Sequence, residues 1–313
     1  MSECLPILTI RRWPTPDPFM ADQSHADSSP RPSRNSSGKG SVLSRRYAAG
    51  AGGVRGLLIT VLGDYLRPAR QPAPTSAFID VLGRLGVAEA ACRQALIRAA
   101  ADGWLVSTRE GRYSWWQLSP AFEQFLVLGA SRIFGFTATQ PEWDRRWLMV
   151  LARVPESNRG ARHLLHKRLG WSGFGRPAPG VWVSTHTDRI KEAELILQEA
   201  GAHEQSQIFL AEYLGGAGLP TLIRQAWDLD SIEREYESFI ADFSRQPSAD
   251  PLVRFTRLVH RWRRMPLIDP VLPKELLPAR WSGARAARLF HRQHGRWESA
   301  AAREWARISR QAG

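Results

Sequence analysis

The 313 residues predict an α+β chain of three ordered units behind a head of low complexity. Three observations carry that expectation. Apolar residues recur at three-to-four spacing from Val54, then alternate from Trp104, then mix both periods, and return to helical spacing near the end. Residues 1–50 show neither period and are rich in Pro, Ser, Arg and Gly, as in SSPRPSRNSSGKGS. Such a stretch buries too little apolar surface to offset chain entropy, so it is expected to be a disordered extension, with Met20 an alternative start. The length suffices for two or three ordinary domains.

The first ordered unit is expected over 51–120. In VRGLLITVLGDYL, the residues Val54, Leu57, Leu58, Val61, Leu62 and Tyr65 make an amphipathic helix stopped by Pro68. A second helix starts at a Thr75/Ser76 cap, carries Phe78, Val81, Leu82 and Leu85, and ends at Gly86. The third runs from Ala88 to about Asp102 with Cys92, Ala95, Leu96 and Ala99 on one face, and Gly103 closes it. WLVSTREGRYSWWQL then reads as a hairpin around Glu110-Gly111-Arg112, and Ser119-Pro120 caps a linker helix placed within 121–140.

Three helices with a tight turn between the second and third, followed by a hairpin, predict a winged helix-turn-helix. In that motif the third helix lies in the DNA major groove. Its outer face would present Glu89, Ala90, Arg93, Gln94, Ile97 and Ala101, with Arg98 at the edge. Arg93 can fork onto guanine, Gln94 can pair with adenine, and Ile97 can touch a thymine methyl. Arg109 and Arg112 at the wing tip suit phosphate or minor-groove contact, and Thr75 at the second helix completes the candidate DNA contacts. Winged helices also serve as protein-docking modules, and a solvated face that touches nothing is the plainer alternative.

The stretch 141–225 alternates elements. RWLMVLAR (146–153) is strand-like, Asn158–Leu169 helical, VWVS (181–184) a strand, Asp188–Ala200 a helix capped by Asp188, and QIFLAE (207–212) a strand. A β-α-β-β-α-β order is the ferredoxin-like pattern. Beyond Ala226 the expectation is an all-helical domain to 313: Asp228–Phe243, Pro251–Arg264, a turn rich in Pro, then a helix from Ser282 to about Ser309.

Charge sharpens this plan. Lys+Arg is 43 against Asp+Glu 30, a net +13 that biases the partner toward a polyanion. Only four of the 43 are Lys, so a GC-rich genome explains the Arg excess as readily as binding does. The net is +3 over 1–50, +3 over 51–120, −2 over 121–248 and +9 over 249–313, so most of it lies at the C-terminal end. Two cysteines exclude a disulfide framework and a Cys₄ zinc site and fit a cytoplasmic chain. No apolar run is long enough for a membrane span, and the Arg pair follows the first apolar stretch, the wrong order for a secretory signal.

Catalytic readings are weak. The first middle strand ends Leu151-Ala152-Arg153, without the carboxylate a metal-dependent nuclease would place there. His163/His166 and His291/His294 have helical spacing but no clear third ligand. Ser184, His186 and Asp188 are too close in sequence for a triad, which draws on separated loops. Gly173-Phe174-Gly175 and Gly215-Gly216-Ala217-Gly218 read as turns. No enzyme, no metal and no cofactor is expected. Thirteen Trp suggest core and interface packing, with Trp171 and Trp182 flanking the GFGRPAPG turn as candidate walls of an aryl or adenine pocket. Arg263 and Arg264 are candidate phosphate contacts beside them.

From about Gly56 to about Arg307 the chain resembles the PaaX-like family of transcriptional repressors. The segments that carry the likeness are LLITVLGDYLRP, LGVAEAACRQALIRAAADGWLVSTREGRYSWWQLSP, RIFGF, WDRRWLMVL, RLGWSGFGRPAPGVWVSTHTD and VHRWRRMPLIDPVLPKELLPARWSGARAARLF, in that order. The resemblance implies a homodimer bound to double-stranded operator DNA and released by an aryl-CoA thioester, phenylacetyl-CoA in the best-known members. The alternative is a winged-helix regulator that answers another metabolite or none. Two features depart from the family pattern. Ala88 stands where a capping Ser, Thr or Asp is common, which weakens the third helix's start by roughly 1 kcal/mol, and Ile97 replaces a small polar residue.

Overall fold

The computed structural model describes residues 53–136, 142–155, 157–245 and 248–310. The low-complexity head of the sequence and residues 137–140 of the expected linker region lie outside these. The class is α+β, with two small antiparallel sheets among helices.

The first helix, α1 (Gly53–Val61), does not stop at Pro68. It continues through a wide turn over Leu62–Leu66 and a last turn at Arg67–Ala69, ending where Arg70 adopts φ 52°. The wide turn explains the tolerance: Arg67 N–H donates to the Leu62 carbonyl, five residues back. In that register Pro68 would serve the Gly63 carbonyl and has no N–H, and Arg67 Nε donates to it instead at 3.3 Å.

Helix α2 (Thr75–Arg84) has Pro74 at its N-cap and no side-chain cap bond, so the expected Thr75/Ser76 cap is not formed. Gly86 at φ 88° makes the tight turn into α3 (Glu89–Ala101). Ala88 sits extended at the α3 N-cap and offers no acceptor, leaving the helix uncapped. Gly103 at φ 74° leads into the hairpin β2 (Leu105–Glu110) and β3 (Tyr113–Leu118), with Gly111-Arg112 at the tip. A short strand β1 (Ala73–Pro74) pairs β3 on its other side, and Ser119 caps α4 (Pro120–Phe134) by accepting from the Phe122 N–H at 3.2 Å.

The middle of the chain holds β4 (Arg146–Leu151), α5 (Arg159–Trp171), β5 (Gly175–Ala178), β6 (Val181–Ser184), α6 (Ile190–Glu199) and β7 (Gln207–Glu212). The sheet order is β5-β6-β4-β7, every neighbour antiparallel. Asp188 does not cap α6. It lies inside a tight turn at Thr187–Arg189, and Arg189 is the N-cap. Leu148, Val150, Leu165, Leu169, Trp182 and Ile196 form the core between the sheet and its helices.

A helix that the sequence pattern did not reveal, α7 (Leu219–Ala226), follows the glycine turn. It packs so closely on β5 that a Cβ at Gly175 would lie 2.4 Å from the Trp227 ring, so only glycine fits there. Then come α8 (Leu229–Phe243), α9 (Pro251–Trp262), a single turn at Met265–Ile268 and the long α10 (Gly283–Arg310). Asp228 and Asp250 cap α8 and α9 by accepting from Ser231 and Val253 N–H at 2.9 and 3.1 Å.

One hydrophobic core runs from α1, α2 and α3 into α8, α9 and α10. Tyr65 stacks on Trp305 with centroids 5.4 Å apart, and Phe78 meets the same indole edge-on at 5.5 Å. Arg84 of α2 reaches Asp250 at 3.0 Å and Glu304 at 2.9 Å. The two ends of the chain are therefore fastened together, while the β4–β7 sheet keeps a second core of its own.

Candidate nucleic-acid interface

Helix α3 divides into two faces. Cys92, Leu96 and Ala99 are buried against α1 and α2, as the spacing predicts. Glu89, Ala90, Arg93, Gln94, Ile97, Arg98 and Ala101 are all exposed. Ile97, with 55% of its surface open, is a branched apolar side chain on a face with no core beneath it. Arg93 leans back one turn to Glu89, with Nη2 at 2.7 Å and Nε at 2.8 Å from the carboxylate. Both partners are more than half exposed, so the pair is screened and opens at little cost.

Gln94 and Arg98 line one side of a cleft of about 340 Å³ whose other wall is Val54, Arg55 and Trp104. Arg55 was not singled out by the sequence. It lies over the Trp104 ring at 4.1 Å and pairs with Asp102 at 2.7 Å, which sets a third guanidinium beside the face of α3. A lone charge near the start of an apolar helix was the available signal.

At the hairpin tip, Arg109 Nε donates to the Gly111 carbonyl at 3.3 Å and Arg112 lies over the exposed Tyr113 ring at 5.0 Å. Both guanidinium groups are exposed. Thr75 is held by the hairpin. Its hydroxyl donates to the Ser114 carbonyl at 3.1 Å and accepts from Trp116 Nε1 at 2.8 Å, so it locks α2 to the hairpin.

The four candidate effector residues do not share one site. Trp171 ends α5, with Lys167 over its ring at 4.8 Å. Arg132 donates to its carbonyl at 2.7 Å and to that of Pro266 at 3.4 Å, which sets Trp171 near the exposed Arg264. Trp182 is 5% exposed in the second core, edge-on to His166 at 5.6 Å. Arg263 is 4% exposed and turned inward, where it lines a small cavity with Asp64, Gly63 and Phe134. Burial pushes the Asp64 carboxyl up to about 7, with Arg263 and then Arg67 opposing that rise. In this structure Trp182 packs in the core and Arg263 is buried.

Of the histidine pairs, His294 packs among Phe134, Phe255 and Phe290, and its basicity is lowered by burial. Among the described residues no group of three His, Cys, Asp or Glu is placed to hold a metal, and no helix is long and apolar enough to cross a membrane.

Comparison with known proteins meets this geometry. Three family models match in sequence order: a PaaX-like protein model over 54–121, the PaaX protein central Cas2-like domain over 140–223, and the PaaX-like protein C-terminal domain over 227–307. The Transcriptional repressor PaaX of Escherichia coli (strain K12) is 32% identical over 247 residues, 74% of this chain and 77% of that protein. The chain belongs to the PaaX-like family. The uncharacterized protein Rv0674 from Mycobacterium tuberculosis shares the PaaX-like fold seen here. It has a TM-score of 0.54 at 23% identity, over 79% of this chain and 96% of that one. In this PaaX-like chain the exposed face of α3 and the hairpin tip both fall inside the first match, and β4 to β7 fill the second.

Proposed function

We propose that this PaaX-like chain is a DNA-binding transcriptional repressor that holds double-stranded operator DNA as a homodimer in the cytoplasm. Its DNA-binding unit is a winged helix-turn-helix over 51–120, followed by a ferredoxin-like unit over 141–225 and a helical one over 226–313. The observation that carries this is the outer face of α3. Arg93, Gln94, Ile97 and Arg98 stand free of the core while Arg109 and Arg112 project from the adjoining hairpin. A bidentate Arg, an amide and an apolar side chain on one helix are the groups that read base edges in a major groove, and wing guanidinium groups suit phosphates. The 32% identity to a protein named as a transcriptional repressor supports the same reading, and the PaaX-like family is one of regulators, not of enzymes.

The effector we propose is an aryl-CoA thioester such as phenylacetyl-CoA. Linkage requires it to bind the DNA-free protein better, by the factor by which it weakens DNA binding. A second reading has support in the burial of Trp182 and Arg263: a repressor that answers a different metabolite, or none.

The test is DNA binding to the region upstream of its own gene, with and without phenylacetyl-CoA and with free coenzyme A as control. Nanomolar binding relieved by the thioester alone supports the full proposal. Binding that no thioester relieves leaves the second reading, and binding no tighter than to random DNA removes both.

A further inference from the structure

The four-stranded sheet has two outer edges, and they are built differently. Strand β5 carries Arg176 and Pro177, and its register with β6 shifts between Gly175 and Ala178. A charge, a proline without N–H and a bulge are the devices by which proteins keep a sheet edge from pairing with another chain. Strand β7 at the other edge has neither a proline nor a bulge. It pairs with β4 in unbroken register over six residues, from Arg146↔Glu212 to Leu151↔Gln207, and its one charge is the terminal Glu212. Its outer backbone groups pair with no strand among the described residues.

The side chains match that open edge. Phe209 is 44% exposed, Leu210 50% and Leu214 92%, all within six residues. Phe209 and Leu210 point to opposite faces of the sheet, because successive side chains alternate. Both faces are thus apolar at the rim, with the open backbone ladder between them.

We propose that β7 pairs antiparallel with β7 of a second copy of this chain, with the two-fold axis at Phe209. Rotation about an axis normal to the sheet keeps each face on its own side. Residues facing each other must therefore have numbers that sum to an even total. With the axis at 209, Phe209 faces its own copy, Ile208 faces Leu210, and Gln207 faces Ala211. Ile208, Phe209 and Leu210 then each meet an apolar residue, Ala211 meets Gln207, and the two Glu212 side chains lie opposite Ser206, far from each other. With the axis at 210, Ile208 would face Glu212, so one register is favoured. Antiparallel pairing is two-fold by construction, which is the symmetry an inverted-repeat operator requires. The inference rests on the homodimer proposed above and names the surface that makes it.

The experiment uses the full chain without DNA, so a failed DNA-binding proposal would leave its result readable. Light scattering on a sizing column is expected to give twice 35.2 kDa for the wild type. Phe209→Lys sets two ammonium groups face to face and is expected to give the monomer mass with an unchanged far-ultraviolet spectrum. Leu128→Lys, at a 71% exposed position on α4, is expected to leave the dimer intact. In a Cys4→Ser background, Phe209→Cys should form an interchain disulfide under mild oxidation with copper-phenanthroline, and Leu214→Cys should not. A monomeric wild type, a dimer that survives Phe209→Lys, or equal cross-linking at 209 and 214 would overturn the proposal.

Discussion

The hydroxyl of Tyr65 in α1 lies 2.8 Å from the hydroxyl of Thr256 in α9, 191 residues along the chain. Both residues are buried, and Tyr65 also stacks on Trp305 of α10. The helix that supports α3 is thereby keyed into the C-terminal helices, so the unit that carries α3 and the far end of the chain form one packed body. Tyr65→Phe should cost about 1 kcal/mol, because the Thr256 hydroxyl loses its partner but can turn to a helix carbonyl. Thermal unfolding should stay a single transition at a lower midpoint. Two separate transitions would contradict the shared core.

Asp64 and His260 predict opposite pH effects. Burial raises the Asp64 pKa to about 7, so the native state holds a proton there that the unfolded chain releases from about pH 3.8 upward. Its contribution to stability is present below that range and is lost as pH rises toward 7. His260, bonded through Nδ1 to the Thr60 hydroxyl at 3.1 Å, is pushed down to about 4 by burial and three arginines. Its contribution is present above pH 6.5 and lost as pH falls toward 4. Melting temperatures of Asp64→Asn and wild type should therefore diverge between about pH 4 and 7, with wild type losing ground as pH rises. Parallel curves would refute the raised carboxyl.

Ala88 leaves α3 without a cap while holding the extended backbone that a capping residue needs. Ala88→Ser should stabilise the chain by roughly 1 kcal/mol and raise the melting temperature by about 2 °C for a chain of this size. An unchanged or lower midpoint would show that the serine does not reach the α3 amides.

Much of this architecture is legible in the sequence because it is local. Cys92, Leu96 and Ala99 declare the inner face of α3, and the alternation around Gly111-Arg112 declares the hairpin. What was not legible depends on distant partners. Pro68 reads as a helix stop until the five-residue hydrogen bond at Leu62 is seen. Helix α7 hides behind a glycine run, and its place is set by the Trp227 ring lying on Gly175. Arg263 reads as a surface cation among Arg261 and Arg264, yet one helical step turns it inward toward Asp64. At the candidate interface the exposed residues follow from the period of the helix, while the Thr75 bonds to Ser114 and Trp116 follow only from the fold.

The Glu89–Arg93 pair makes a separate prediction about affinity. Glu89→Gln removes a negative charge from the proposed DNA face and releases Arg93. Binding to operator and random DNA alike should tighten, because repulsion of phosphate is not specific to sequence. A loss of operator affinity would instead make Glu89 a base contact, for a carboxylate can accept from cytosine.

The central claim is that α3 reads base sequence, and selection of bound sequences from a random DNA pool tests it most directly. Wild type should recover an inverted repeat with half-sites about one helical turn, ~10 base pairs, apart. Arg93→Ala should bind that repeat more weakly by about 1–3 kcal/mol and lose preference at one position of each half-site. Recovery of no common sequence by the wild type, or of the same sequence with the same affinity by Arg93→Ala, Gln94→Ala and Arg98→Ala, would contradict the account.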